Sequence, residues 1–293
     1  MLRIRLITAA ALIFIAVYSV TFASSPLTTM MFFVVAVCLV GVEFVAIRWH
    51  VIDGFAHTEF PRPPLRKEFF GIAAAYAMCV PIDIVGQMTL SEKSGGSNSL
   101  VLAWISACMV FGSGFFYKRE MDLEIATQKF MNALSGFVYI ALPGITLYRL
   151  AQVQIAQAPR GIALYFCLAV ILMGDTGAYF FGRTFGKTPL LPKVSPKKTM
   201  EGAIGGFFTS GLTGIFICEF FNLPFHWYEA MFIACLSGLA GQVGDLVESA
   251  LKRAANCKDS GSLLPGHGGA LDRVDSLLFG APISYLLFLF FGK

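Results

Sequence analysis

The chain has 293 residues, of which 56% are hydrophobic and only 14% charged, and its mean hydropathy is +0.71. That leaves too little polar surface to keep such a composition in water, so a soluble globular enzyme is excluded and a protein immersed in a bilayer is implied. The formal net charge of +4 is unremarkable as a total and gives no reason to expect nucleic acid as a partner; the seven cysteines include no CxxC pair, so no disulfide framework or zinc site is indicated.

Apolar runs long enough to span a membrane follow one another along the chain. The first, Leu6 to Ser24, follows Arg3 and Arg5; its apolar core is longer than that of a cleaved signal peptide, so it reads as an uncleaved anchor. A second span follows at once, Leu27 to Ile47. The polar stretch Arg48 to Lys67, with its Pro61-Arg62-Pro63-Pro64 cluster, reads as a loop, and span three is Phe69 to Met88. Beyond a Gly- and Ser-rich turn, Ser91 to Ser99, span four is Leu100 to Tyr117. A mixed-charge segment then covers Lys118 to Lys129, and span five is about Phe130 to Leu147. Span six is Ile162 to Phe181, a basic loop takes Gly182 to Thr199, and the last three spans are about Gly202 to Phe221, Tyr228 to Leu251 and Ser276 to Phe291. About nine helices of roughly 18 to 24 residues, rising 1.5 Å per residue, suit a hydrocarbon core of about 30 Å.

The basic residues test this layout. With the N-terminus in the cytoplasm, every Lys and Arg except Lys93, Arg149, Arg160 and Lys293 falls on the cytoplasmic side. The expectation is therefore an all-α polytopic integral membrane protein with a cytoplasmic N-terminus and the C-terminus outside. Residues 1–130 supply the first four spans and their loops and carry no recognisable motif. Residues 131–293 supply the other five spans and all the candidate chemistry. No soluble domain is visible.

Acids recur within the apolar segments of the second part. Asp175 lies near the cytoplasmic end of span six. Asp245 and Glu248 lie near the cytoplasmic end of span eight, three apart on one helical face, with Ser249 four from Asp245. An intramembrane carboxylate costs about 2.5 to 3.5 kcal/mol at mid-span and is by default a functional-site candidate. After span eight, Ser249 to Ser276 packs Lys252, Arg253, Lys258, Asp259, His267, Asp272, Arg273 and Asp275 between strongly apolar stretches. Carboxylates there can share a divalent cation and the cations can hold phosphate oxygens, which suits metal-assisted phosphate chemistry. Gly261, Gly266, Gly268 and Gly269 let the backbone approach a ligand closely or turn sharply. Glu43 and Asp83 lie near span ends and read as interfacial.

The order Ser249, Lys252-Arg253, Lys258-Asp259-Ser260-Gly261, Pro265-Gly266-His267-Gly268-Gly269, Asp272-Arg273, Asp275-Ser276 closely resembles the signature of the phosphatidate cytidylyltransferases, also called CDP-diacylglycerol synthases. Ala270 stands where that family usually has a larger aliphatic residue. The end of span six, with Gly174-Asp175, and Ser195-Pro196-Lys197-Lys198-Thr199 extend the resemblance to roughly Gly174 to Ser276, with Met200 where an aromatic residue is common.

The resemblance implies CTP and phosphatidic acid as substrates, CDP-diacylglycerol and pyrophosphate as products, and a role in phospholipid biosynthesis. It also implies Mg²⁺ as cofactor, with a second metal ion left open, and a homodimer among membrane lipids. On that basis Asp245 and Asp272 are the expected principal metal ligands, with Asp175 and Asp275 as further ligands or their supporting partners. Lys252, Arg253, Lys258 and Arg273 would hold the CTP phosphates or the departing pyrophosphate. Ser195, Lys197, Lys198 and Thr199 would cradle lipid phosphate or nucleotide, and their division of labour stays open. Ser249, Asp259, His267, Gly268 and Gly269 complete the substrate site, His267 without a proton-transfer role. A compact chain of this kind suggests a bacterial inner membrane, with the site facing the cytoplasm.

Plainer readings stand beside these. Taken alone, the basic loop Lys187 to Lys198 would be a topology determinant in contact with anionic lipid, and Asp259 would pair with Lys258 or Arg253. A transferase or kinase acting on a polyprenyl alcohol would lack the full signature. An ion-coupled transporter would pair broken helices in repeat-related positions, whereas here the acids gather toward one face.

Overall fold

A computed structural model describes residues 18, 20, 26–52, 67–90, 123–155, 158–261 and 268–292. In hydrocarbon a backbone has no water to bond, so apolar runs close their own hydrogen bonds as helices. The helices are α1 (Pro26–Ile52), α2 (Lys67–Leu90), α3 (Leu123–Gly136), α4 (Leu142–Gln152), α5 (Ile162–Phe185), α6 (Met200–Phe220), α7 (Trp227–Ala254) and α8 (Asp275–Phe291). A π-helical turn, Phe137–Ala141, joins α3 to α4.

Among the described residues, five stretches are long and apolar enough to cross a membrane: Leu27–Arg48, Phe130–Gln152, Ile162–Phe185, Met200–Phe220 and Trp227–Ala254. They coincide with spans two, five, six, seven and eight. Spans three and nine correspond to α2 and α8, whose apolar stretches, Ile72–Ile84 and Asp275–Phe291, are shorter. Span four, and span one apart from Tyr18 and Val20, lie outside the described residues. The molecule is a helical integral membrane protein. Helix α3 begins at Leu123, within the mixed-charge segment that precedes span five, and the basic loop after span six contains a small antiparallel sheet.

The chain forms two compact units: Met1–Tyr148 with Leu251–Arg273, and Arg149–Ala250 with Val274–Lys293. In the first, α1 packs along α2 and against α3, and a 3-10 turn, Leu271–Arg273, rests on α1. Tyr76 and Phe137 are wholly buried there, and the Arg48 guanidinium joins α1 to α3 by donating to Asn132 Oδ1, from Nε at 2.9 Å.

In the second unit α5 and α6 form the most extensive pair. Small residues set their closeness: a methyl group on Gly177 would stand 2.6 Å from Thr209 Cβ. Polar side chains join the helices, as expected where apolar burial gives no preference for protein over lipid. Ser210 Oγ donates to the Val170 carbonyl at 3.1 Å, Gln242 Nε2 on α7 donates to the Ala203 carbonyl at 3.2 Å, and Ser284 Oγ on α8 donates to Ser237 Oγ at 2.7 Å.

Candidate active site

After α5 the chain meets Pro189, Pro192 and Pro196, each without an N–H and with φ fixed, so the helix cannot continue. It doubles back as β1 (Pro189–Leu191) and β2 (Ser195–Thr199), with Pro189 opposite Thr199 and Leu191 opposite Ser195. The stem of this hairpin is fastened to the start of α6. Thr199 Oγ1 caps that helix by accepting the Gly202 N–H at 3.2 Å. The Glu201 carboxylate accepts the N–H groups of Lys187 at 3.1 Å and Thr188 at 3.2 Å, and the Met200 N–H donates to the Thr188 carbonyl at 2.9 Å.

The fastening holds the hairpin's polar side chains over a cavity of about 490 Å³ in the second unit. Asp175 on α5 and Asp245 on α7 supply its two carboxylates. Arg183, Lys197 and Lys198 supply cations, and Ser195, Thr199 and Tyr179 supply hydroxyls. Lys198 Nζ lies 2.6 Å from Asp245 Oδ2, with the two side chains 30% and 31% exposed. A pair so open to solvent contributes below about 1 kcal/mol and can be exchanged for a ligand. Ser249 Oγ reaches Asp245 Oδ1 at 3.4 Å, and Arg183 Nη1 donates to Tyr179 Oη at 3.0 Å. The arrangement can take a polyanion on its cations, and its two carboxylates would be the groups to hold a divalent cation. Among the described residues no three acidic, His or Cys side chains gather to hold a metal.

The first unit holds the other half of the predicted set in a tighter setting. Lys252 Nζ lies 2.7 Å from Asp272 Oδ1, with side chains only 13% and 12% exposed. Asp272 Oδ2 also accepts the N–H groups of Ser260 and Gly269, each at 3.0 Å. Behind them, Glu43 Oε2 on α1 accepts Ser260 Oγ–H and the Leu271 N–H, both at 2.9 Å. Glu43 and Asp83 are fully buried, which corrects their reading as interfacial acids. Distance from a span end gave their depth but not the protein packed around them.

The predicted residues thus divide. Asp175, Asp245, Ser195, Lys197, Lys198 and Thr199 share the cavity. Lys252, Asp272 and Gly269 share the buried network. Lys258, Arg253 and Arg273 are exposed, Asp259 is half-buried, and Gly268 has a φ of +82°. Asp275 opens α8, where its Oδ1 accepts the Ser276 N–H at 2.8 Å. His267 lies outside the described residues. The cavity also contains Tyr179, Arg183 and Gln242, which sequence reasoning did not single out as site residues. Their spacing carried the signal: Tyr179 is four beyond Asp175 and Gln242 three before Asp245, each on the same helical face as its acid.

Comparison with known proteins adds to this geometry. The sequence profile of the Cytidylyltransferase family matches residues 3–291. A phosphatidate cytidylyltransferase of Helicobacter pylori is 37% identical over 195 residues, 62% of this chain and 68% of that protein. Its namesake in Bacillus subtilis is 44% identical over 129 residues, 44% of this chain and 48% of its own length. One from Staphylococcus haemolyticus is 42% identical over 161 residues, 54% of this chain and 60% of its own length. The aligned stretches therefore span between about half and two thirds of these relatives.

Proposed function

Since the chain belongs to the cytidylyltransferase family, we propose that it transfers the cytidylyl group of CTP to phosphatidate, forming CDP-diacylglycerol and releasing pyrophosphate. The observation that carries this reading is the cavity in which Asp175 and Asp245 face Lys197, Lys198 and the hydroxyls of Ser195 and Thr199. In the reaction an oxygen of the lipid phosphate attacks the α-phosphorus of CTP. The bond from that phosphorus to the α,β-bridging oxygen breaks, and its electron pair leaves with pyrophosphate. The attacking phosphate is already ionised at neutral pH, so no strong general base is required. The difficulty is bringing two anions together, which is a matter of positioning and charge.

Lys197 and Lys198 neutralise phosphate oxygens at the hairpin, while Ser195 and Thr199 orient them by hydrogen bonding. Lys252, Arg253, Lys258 and Arg273 are the further cations for the CTP phosphates and pyrophosphate, on the strength of the signature. The donor set fits Mg²⁺, which is commonly held by one or two carboxylates with substrate oxygens completing its shell. Asp175 and Asp245 would hold it, and when bound it would neutralise charge on the phosphate oxygens. Asp272 fits less well, because its side chain is only 12% exposed and it accepts two backbone N–H groups besides the Lys252 ammonium. The nine-span layout with a cytoplasmic active site rests on the distribution of Lys and Arg, and a homodimer on the resemblance alone.

The test is conversion of phosphatidate and labelled CTP by the purified full-length protein in detergent with Mg²⁺. Formation of CDP-diacylglycerol and pyrophosphate in equal amounts supports the reading. A folded wild-type protein that forms neither overturns it.

A further inference from the structure

We propose that Glu43, in the part of the chain without a recognisable motif, is a positioning residue that sets the geometry of the signature stretch for CTP. The inference rests on the functional reading above. Glu43 is fully buried, and one of its oxygens accepts two donors from separate parts of that stretch, Ser260 Oγ and the Leu271 N–H, each at 2.9 Å. Both donors adjoin Asp272 directly. Leu271 precedes it in sequence, and Ser260 exchanges hydrogen bonds with it, giving its N–H to Asp272 Oδ2 at 3.0 Å while its hydroxyl accepts the Asp272 N–H at 3.3 Å. Asp272 in turn holds the Lys252 ammonium at 2.7 Å. A continuous line of polar contacts runs from Glu43 through Ser260 and Asp272 to a cation proposed for the CTP phosphates.

Two motif glycines are accounted for by the same side chain. A methyl group on Gly261 would stand 2.7 Å from Glu43 Cδ, and one on Gly269 would collide with Glu43 Oε2 and Ser260 Oγ. The close approach that these glycines permit is therefore to Glu43, within the protein. If Glu43 served only to fill space, an apolar side chain would do so without burying charge. A carboxylate here instead fixes direction, since its two acceptor contacts hold the stretch at Ser260 and at Leu271.

The experiment uses the purified full-length protein and the variants Glu43→Gln and Ser260→Ala. Each is expected to raise KM for CTP about fivefold to tenfold, the effect of one weakened charge-assisted hydrogen bond, and to leave KM for phosphatidate within about twofold. The double variant should fall short of the product of the two single effects, because the Ser260–Glu43 contact is lost in both. A merely structural role would lower kcat with the folded fraction and leave both KM values at wild type, and that result overturns the proposal. Hydrogen exchange gives a readout independent of turnover. Loss of protection at Ser260, Gly269 and Leu271 in Glu43→Gln, with α5 and α6 unchanged, supports the anchoring even if the wild type forms no CDP-diacylglycerol. Unchanged protection at those amides, or loss throughout the protein, overturns it.

Discussion

Two lysine–aspartate pairs of nearly equal length have opposite surroundings. Lys198 and Asp245 meet at 2.6 Å in an open cavity, each side chain about a third exposed. Lys252 and Asp272 meet at 2.7 Å with barely an eighth of either side chain exposed, and backbone N–H groups fill the remaining acceptor sites of the aspartate. Distance does not tell them apart, but exchangeability does. The first pair sits where water competes for both charges and can part when a phosphate arrives. The second is part of the protein's own hydrogen-bond network, and breaking it leaves an uncompensated charge in a poor solvent.

The largest effect that should break the comparison is Asp245→Asn. CDP-diacylglycerol formation is expected to fall about a thousandfold, as a proposed metal-holding carboxylate is lost, while thermal unfolding in detergent shifts little. Asp272→Asn should fall on stability instead. Losing the charge that faces Lys252 costs about 3 kcal/mol, read as a lower unfolding midpoint, with activity lost alongside. If both variants behave alike in unfolding, the contrast between the pairs is wrong. Lys198→Met comes next, with KM for a phosphate-bearing substrate raised about tenfold at constant stability, an effect that should shrink as salt is added. The smallest is Glu201→Gln, which loosens the hairpin's attachment to α6; turnover should drop about threefold with no change in the unfolding midpoint.

The fold was legible where one requirement dominates. A backbone in hydrocarbon must bond to itself, so α1, α5, α6 and α7 could be placed from apolar length alone. The cavity acids were legible because Asp175 and Asp245 have no cheap reason to occupy apolar spans. The hairpin was not, since a three-residue strand shows no alternation, although its prolines signalled that no helix could continue. Tyr179 and Gln242 lacked any chemical oddity and became visible only as neighbours of acids on the same face. Glu43 was misread for a different reason: its partners lie 217 and 228 residues further along the chain, beyond anything that local pattern reports.

That separation also matters during synthesis. At about 5 to 20 residues per second, a ribosome takes about 10 to 45 s to extend from Glu43 to Ser260 and Leu271. For that interval α1 must be inserted in the bilayer without these two partners, carrying near its end an acid whose cost is below the about 2.5 to 3.5 kcal/mol of a mid-span charge. The long apolar run around it, Leu27–Arg48, offsets that cost and keeps the helix inserted. The first unit is therefore completed only after nearly the whole chain has been made, so a nascent chain that stalls before Leu271 leaves α1 in place with its acid unbound by the segment it was built to hold.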